Sequence, residues 1–339
     1  MRWWQQFAMA GVAVTVAVTL AACGGSTGSS GPPPPPATWA QFRHLPGVVD
    51  LAGPRGDGSF LVAAAGRLLI MGRGGRLRPF ARGTGGYATA TGTEPYFVLT
   101  PGNEVRASGC SFGKNSAFAI EPGARPAVIM ISPQGKARRF ASLPPGGALS
   151  GIAFDGTGRF GHRVLVTARS GGRTTVFGIG CDGQVSAVVT GLPSVEGGIT
   201  VAPATFGRFG GDLIAPDEVS GLVYAVSPSG QVATLARSGL PAGGDIGVES
   251  AGFVPPGATA AYLADRFSGR NKHPGDNAVL RLSAADLARA GVRAGDLLVA
   301  AEGGARTIDV RCAAACTVRY VAAGPAIAHA EGHIAFAAS

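Results

Sequence analysis

Short runs of alternating apolar and polar residues, each closed by a glycine turn, recur along most of the chain. Four segments share one pattern: "RLLIMGRGGRLRPFA" from Arg67, "AVIMISPQGKARRFA" from Ala127, "TVFGIGCDGQVSAVV" from Thr175 and "LVYAVSPSGQVATLA" from Leu222. Alternation has the two-residue period of a half-buried strand, and two such runs joined by a two-residue polar-Gly turn predict a β-hairpin. The turn glycines Gly75, Gly135, Gly183 and Gly230 are separated by 60, 48 and 47 residues. A second phrase precedes the hairpin: "GIAFDGTGRFGHRVLVTA" from Gly151 matches "GITVAPATFGRFGGDLIAPDE" from Gly198, and "AGFVPPGATAAYLADR" from Ala251 begins in the same way. One unit is therefore strand, turn, strand, turn, hairpin. Four strands in roughly 48 residues is the size of one propeller blade, and Gly47 to Ser339 has room for about six. The predicted fold class is all-β: a six-bladed β-propeller with four-stranded blades.

Departures from the period predict irregular blades. The 60-residue step holds an insertion near "VRASGCSFGKNSAF", which contains Cys110. In the fifth blade, "DRFSGRNKHPGDNAVLRL" puts a polar loop from Asp265 to Asn277 into the expected strand pair. "SAADLARAG" then predicts one short helix, with Ser283 as N-cap, Asp286 three residues on and Gly291 as the stop. "AIAHAEGHIAF" predicts a last hairpin turning at Glu331-Gly332. A strand near Val48 to Ala52 is expected to close the ring by joining the final blade, since an unpaired edge invites aggregation. The phrases "GIAFDGTGRFG", "VLVTA" and "GGDLIAPDEVSGLVYAVSPSGQV" resemble the six-bladed β-propellers of the NHL and SMP-30-like families. That resemblance is clearest from Ala127 to Ala264. It implies architecture more than activity, because those families include binders, scaffolds and enzymes.

The N-terminus follows another pattern. Arg2 is the only charge before an apolar run from Phe7 to Leu20. At roughly 14 residues, that run is shorter than the ~20 needed to span a bilayer. It closes with Leu20-Ala21-Ala22-Cys23, which resembles the bacterial lipobox. The resemblance implies a lipoprotein signal peptide over residues 1–22, cleavage before Cys23, and acylation of Cys23 on its sulfur and new amine. Several acyl chains, each gaining about 0.8 kcal/mol per buried CH₂, anchor stably where one would be marginal. Residues 23–37 predict a tether, flexible through its Gly/Ser part and stiff through Pro32 to Pro36. Residues 38–339 are left as the folded body, expected to be monomeric and lipid-anchored on the extracytoplasmic side of a cell membrane.

This address changes the meaning of the remaining cysteines. Cys110, Cys181, Cys312 and Cys316 are an even set outside the cytoplasm, which favours disulfides over a metal site. Cys312 and Cys316 are close enough to close a small loop, which would leave Cys110 with Cys181, but four cysteines permit three pairings. The formal net charge of +9 comes from arginines scattered singly through turns, with no aromatic-interleaved stripe. A nucleic-acid partner is not expected.

Candidate chemistry is sparse. "GTGRFG" from Gly156 fits a dinucleotide pattern, but a strand rather than a helix follows it. His329, Glu331 and His333 would share one face of a straight strand and form a metal set, yet the predicted turn at Glu331-Gly332 breaks the line and leaves a surface turn with two flanking histidines. Glu196 and Glu249 occur in one repeated phrase, "SVEGGITVAP" and "GVESAGFVPP", at the entry to innermost strands. Asp50 holds the corresponding place in "GVVDLAG". Carboxylates converging on a channel mouth suit Ca²⁺ or another hard cation. The SMP-30-like resemblance implies that Glu196 or Glu249 holds a divalent metal for lactone or ester hydrolysis, with Asp50 and Asp265 as further partners. The expected Asn ligand has no counterpart. Arg266, Arg270, Lys272 and His273 lie in the polar loop and would select a ligand if that loop overhangs the channel. No nucleophile, base and orienter occur in recognisable order. The expected function is a non-catalytic binding or scaffold module for a small molecule, glycan or protein. The alternative is a Ca-type hydrolase or a quinone-type sugar dehydrogenase at the channel mouth.

Overall fold

The computed structural model describes residues 37–82, 94–102, 104–105 and 109–339. The expected signal peptide, Cys23 and all but the last residue of the tether lie outside them.

The repeated phrase folds as predicted into four-stranded antiparallel blades. Blade one runs from the channel outward as Val48–Ala52, Phe60–Ala64, Arg67–Met71 and Leu77–Arg82. Blade two is Phe97–Leu99, Ala117–Glu121, Ala127–Ile131 and Ala137–Ser142. Blade three is Ala148–Phe154, Val164–Ser170, Arg173–Ile179 and Val185–Pro193. Blade four is Thr200–Val201, Leu213–Asp217, Leu222–Val226 and Val232–Arg237. Each innermost strand touches the innermost strands on either side, and the sixth touches the first, so the ring is closed. The four hairpin glycines have φ between +78° and +83°. Each turn is one residue longer than predicted. In the first, Gly75 donates to the Gly72 carbonyl and Gly72 to that of Arg76, giving a three-residue loop with glycine in the left-handed position.

No blade buries both of its faces alone. The core is accordingly divided into six clusters, one at each seam between neighbouring blades. At the blade two–three seam, for example, Phe118 and Val128 pack with Ile152 and Val166, all at most 1% exposed.

Blades five and six depart from the sequence reading. Val248–Phe253 is the innermost strand of blade five, but the next two strands, Ala258–Asp265 and Ala278–Ser283, belong to blade six. The chain then returns to blade five for Leu297–Ala301, Thr307–Cys312 and Cys316–Ala323. The loop 265–277 is thus an ordinary connection within blade six. Blade six takes its innermost strand from Ala330–Ala338 and its outermost from Ala40–His44. Closure is therefore made by strands from both ends of the chain, while Val48–Ala52 serves as the first strand of blade one. Ala37–Thr38 adds a parallel edge to blade five. Trp39, 1% exposed, fixes this entry by donating from Nε1 to Thr307 Oγ1 at 2.8 Å.

The predicted last hairpin is also absent. Glu331-Gly332 lies inside Ala330–Ala338, where the register against Ala258–Asp265 shifts between Tyr262 and Ala264. Gly332 has φ +68°, and a Cβ there would sit 2.4 Å from Asp50 Oδ1. Its glycine makes a bulge beside the channel axis rather than a turn at the surface.

The predicted helix forms over Ala284–Arg289 with a Ser283–Asp286 capping box. Cys110–Cys181 ties the blade-two insertion to a blade-three hairpin turn, and Cys312–Cys316 closes a hairpin of blade five. Among the described residues, no helix is long and apolar enough to cross a membrane.

Candidate functional site at one mouth of the channel

In an antiparallel blade the innermost strand begins where the second strand ends, so both present residues to the same face of the ring. Glu196, Glu249 and Glu331 stand at the starts of innermost strands, with Glu94 and Tyr96 just before another. Glu218, Glu302 and Arg266 follow the ends of second strands, and Arg169 lies near the end of one. Six carboxylates therefore meet two arginines and one histidine at one mouth.

The inner layer is dry. Glu331, Glu249, Glu302, His329 and Tyr96 are each at most 4% exposed. Glu94, Glu218, Arg169 and Arg266 form a half-buried rim above them. Arg266 Nη1 bridges Glu94 Oε1 at 2.8 Å and Glu331 Oε1 at 2.7 Å. His329 Nε2 lies 2.9 Å from Glu302 Oε1 and 3.4 Å from Glu331 Oε1. Arg169 clasps both oxygens of Glu196.

Tyr96 reveals where one proton sits. Its hydroxyl oxygen is 2.5 Å from Glu249 Oε1 and 2.6 Å from Glu331 Oε2. A phenol has one hydrogen, so it donates to one carboxylate, and the other carboxyl must donate to it. Burial and the surrounding glutamates, Glu331 foremost, push Glu249 well up. Burial would also raise Glu331, but the His329 hydrogen bond and the Arg266 charge outweigh it and hold Glu331 at about 2. The chain thus runs from protonated Glu249 to the Tyr96 oxygen, and from the Tyr96 hydroxyl to ionised Glu331. Glu94 and Glu196 share a second proton. Burial raises both: Glu331 adds to the rise of Glu94 against the pull of Arg266, and Glu94 helps to push Glu196 to about 9 against the pull of Arg169. Burial lifts Glu302 to about 7 in spite of His329. His329, which burial alone would lower, is raised to about 10 by Glu302 and Glu331 and is therefore a cation at neutral pH.

Two sets of three carboxylates have donor oxygens mutually within 4.8 Å: Glu94, Glu249 and Glu331, and Glu218, Glu249 and Glu302. Oxygens around one Ca²⁺ at about 2.4 Å are at most about 4.8 Å apart, so either set fits a hard cation. Glu302 Oε2 is buried with no hydrogen-bond partner among the described residues, leaving a lone pair for such an ion. Glu302, His329 and Glu331 form a third set, but there the His329 ring nitrogen already faces both carboxylates.

Of the residues singled out in the sequence, Glu196 and Glu249 meet in this cluster, and Arg266 enters it from the polar loop. Asp50 and Asp265 do not. Asp50 accepts from the Leu51, Phe97 and His333 amides and pairs with the His333 ring at 3.0 Å, while Asp265 accepts from the His329 amide. Arg270 and Lys272 are exposed, and His273 is tied to the Ala326 carbonyl at 2.7 Å. His329 and Glu331 are core rather than surface residues: the bulge at Gly332 keeps Glu331 in the inner strand, and His329 bridges to Gly303 just before it. The same bulge sends His333 away toward Asp50. Glu94, Tyr96, Glu218 and Glu302 were not singled out. For Glu302 the available signal was a glutamate followed by glycine, as at Glu196-Gly197 and Glu331-Gly332. At the crowded axis a Cβ on Gly197 would lie 2.1 Å from the Glu249 side chain, and one on Gly303 3.0 Å from His273.

No protein-family model matches the sequence, and no curated protein does. Among solved structures, the chain is similar to virginiamycin B lyase from Staphylococcus aureus, with 11% identity and a TM-score of 0.45 over 83% of this chain and 86% of that one. It is similar to a gluconolactonase from Xanthomonas campestris at 13% identity and a TM-score of 0.38, over 66% and 68% of the two chains. It is also similar to the calcium-binding protein regucalcin from Agrobacterium tumefaciens at 13% identity and a TM-score of 0.39, over 69% and 74%. The side chains at the mouth, not these similarities, carry the reading that follows.

Proposed function

We propose that the protein is a lipid-anchored, extracytoplasmic β-propeller that binds a hard divalent cation of the Ca²⁺ type at the acidic mouth of its channel and acts as a binding module. One observation carries the cation: buried Glu249 belongs to both all-oxygen triads. In one it works with Glu94 and Glu331, in the other with Glu218 and Glu302. Oxygen ligands alone select Ca²⁺ or Mg²⁺ over softer metals, and the five carboxylates of the two triads suit the larger ion's coordination by about six to eight oxygens. When bound, the ion would supply positive charge and open coordination positions to an anionic or carbonyl oxygen. A quinone-type dehydrogenase fits less well, because Arg169, Arg266 and His329 are each already paired with carboxylates.

The test is calorimetric titration of metal-stripped protein with Ca²⁺ and Mg²⁺, repeated on Glu249→Gln. One ion per chain, bound at least tenfold more weakly by the variant, supports the reading. Absence of binding by the unaltered chain overturns it. Turnover of simple lactones or esters that needs the ion would replace the binding module by the hydrolase alternative. The anchor rests on Leu20-Ala21-Ala22-Cys23, and labelled fatty acid should enter the protein in cells and be lost in Cys23→Ala.

A further inference from the structure

The other end of the channel is built differently. Past the starts of the innermost strands, Asp50 and His333 plug the axis. His333 Nδ1 faces both Asp50 oxygens at 3.0 Å and its Nε2 faces the Ile152 carbonyl at 2.8 Å, so the ring carries a proton on each nitrogen. Beyond this plug lies a cavity of about 590 Å³ that opens at the far mouth.

The walls of the cavity are apolar. Leu51, Phe97, Phe154, Ile199 and Ile334 line it from the innermost strands of blades one, two, three and six and the lead-in to blade four. The volume falls in the range of small-molecule sites, which combine such walls with a few polar groups. Among the described residues, every charged residue lining it is basic: Arg55 and Lys114 at the mouth and His333 at the floor. Arg55 leans over the Phe80 ring at 5.1 Å, and its Nε and Nη1 are buried without a hydrogen-bond acceptor among the described residues. Asp57, whose charge Arg55 also feels, accepts from the Ser59 amide and hydroxyl at 3.0 and 2.5 Å. Those two donors of Arg55 are closed off beside the outermost strand of blade one; what Arg55 and exposed Lys114 offer the cavity is positive charge at its mouth.

We infer that this cavity binds a monoanionic amphiphile, with its apolar body between the innermost strands and its carboxylate at Arg55 and Lys114. The site is independent of the acidic mouth, since Asp50 and His333 separate the two.

The probe is 1-pyrenebutyrate, titrated into the purified full chain by fluorescence, beside the neutral 4-(1-pyrenyl)butanol and a pyrenebutyl trimethylammonium salt. The butyrate is expected to bind one site at least tenfold more tightly than either analogue. Arg55→Gln should weaken it about tenfold, and Arg289→Gln, on the exposed helix, should leave it unchanged. Val201→Phe, which fills the cavity from blade four, should abolish binding of the butyrate and the alcohol alike. If Arg55→Gln loses its β circular dichroism, Lys114→Gln at the exposed rim takes its place, with about threefold weakening expected. Equal affinity for the three probes overturns the inference. So does no binding, or an Arg55→Gln titration that matches Arg289→Gln.

Discussion

Glu249 lies among other carboxylates with a proton of its own, and glutamine reproduces that neutral state closely. Without metal, Glu249→Gln is therefore expected to unfold within about 2 °C of the unaltered chain, a shift of about 1 kcal/mol or less. Its upward thermal shift with Ca²⁺ should be lost; a full shift would remove Glu249 from the site. Cation binding must displace the proton held by Glu249, which both triads share. Affinity should then rise with pH, because burial and the surrounding glutamates hold the Glu249 proton well above the usual carboxyl range, and titration heats at pH 7 should vary with the buffer's ionisation enthalpy. Heats that do not vary would contradict a protonated Glu249. His329 titrates near 10 in the fold against an ordinary 6.5. Its contribution to stability is fully present below pH 6.5 and fades as pH rises through about 10. Metal-free protein should show a falling melting temperature over that window, with a shallower fall in His329→Gln.

Among the elements, the bulge at Gly332 decides which side chains reach which end of the channel. Gly332→Ala forces a Cβ into positive φ and against Asp50. About 2 kcal/mol or more of destabilisation is expected in denaturant titration, with strain as the cause; an unchanged midpoint would mean that the strand can relax. This bulge also marks where the sequence stops being readable. Hairpins with a polar-Gly turn carry their own local signal, as does the Ser283–Asp286 cap, so those elements were legible at once. Glu331-Gly332 has the same local look as a hairpin turn, and only the long-range pairing to Ala258–Asp265 distinguishes a bulge from it. Similarly, "ATAAYLAD" reads as a second strand of whichever blade is being built. Its placement in blade six depends on which apolar face it meets, and alternation along one strand cannot state that. Glu196 and Glu249 were legible because the repeat placed them at strand entries. Glu94 and Glu302 sit outside the repeated phrase, and Glu218 ends it where the matching phrase runs on into Arg169, so their convergence is a product of the ring.

Across the molecule, six apolar seams and one closed circle of inner strands make each blade depend on its neighbours. The entry segment is the most exposed to this dependence, since Trp39 packs where blades five and six meet. Trp39→Ala is expected to lower stability by about 3–5 kcal/mol, through the cavity and the lost Nε1–Thr307 hydrogen bond. Unfolding should remain a single transition if the ring is one cooperative unit; an early separate transition would show that the joint opens by itself. Acid at one mouth and base at the other also polarise the channel along its axis, although the net charge of +9 gives no hint of it.

The joint in blade six has a consequence for biosynthesis. Its outer strand, Ala40–His44, is made before almost everything else described, and its inner strand, Ala330–Ala338, after everything else. Ala258–Asp265 and Ala278–Ser283 can already cover part of the blade-one and blade-five faces, but the places of Ile334, Ala335 and Phe336 stay open until that final stretch arrives. A chain of this design therefore carries an open seam until its last strand is in place, and a stop codon even one strand early would release a horseshoe fit for proteolysis or clumping.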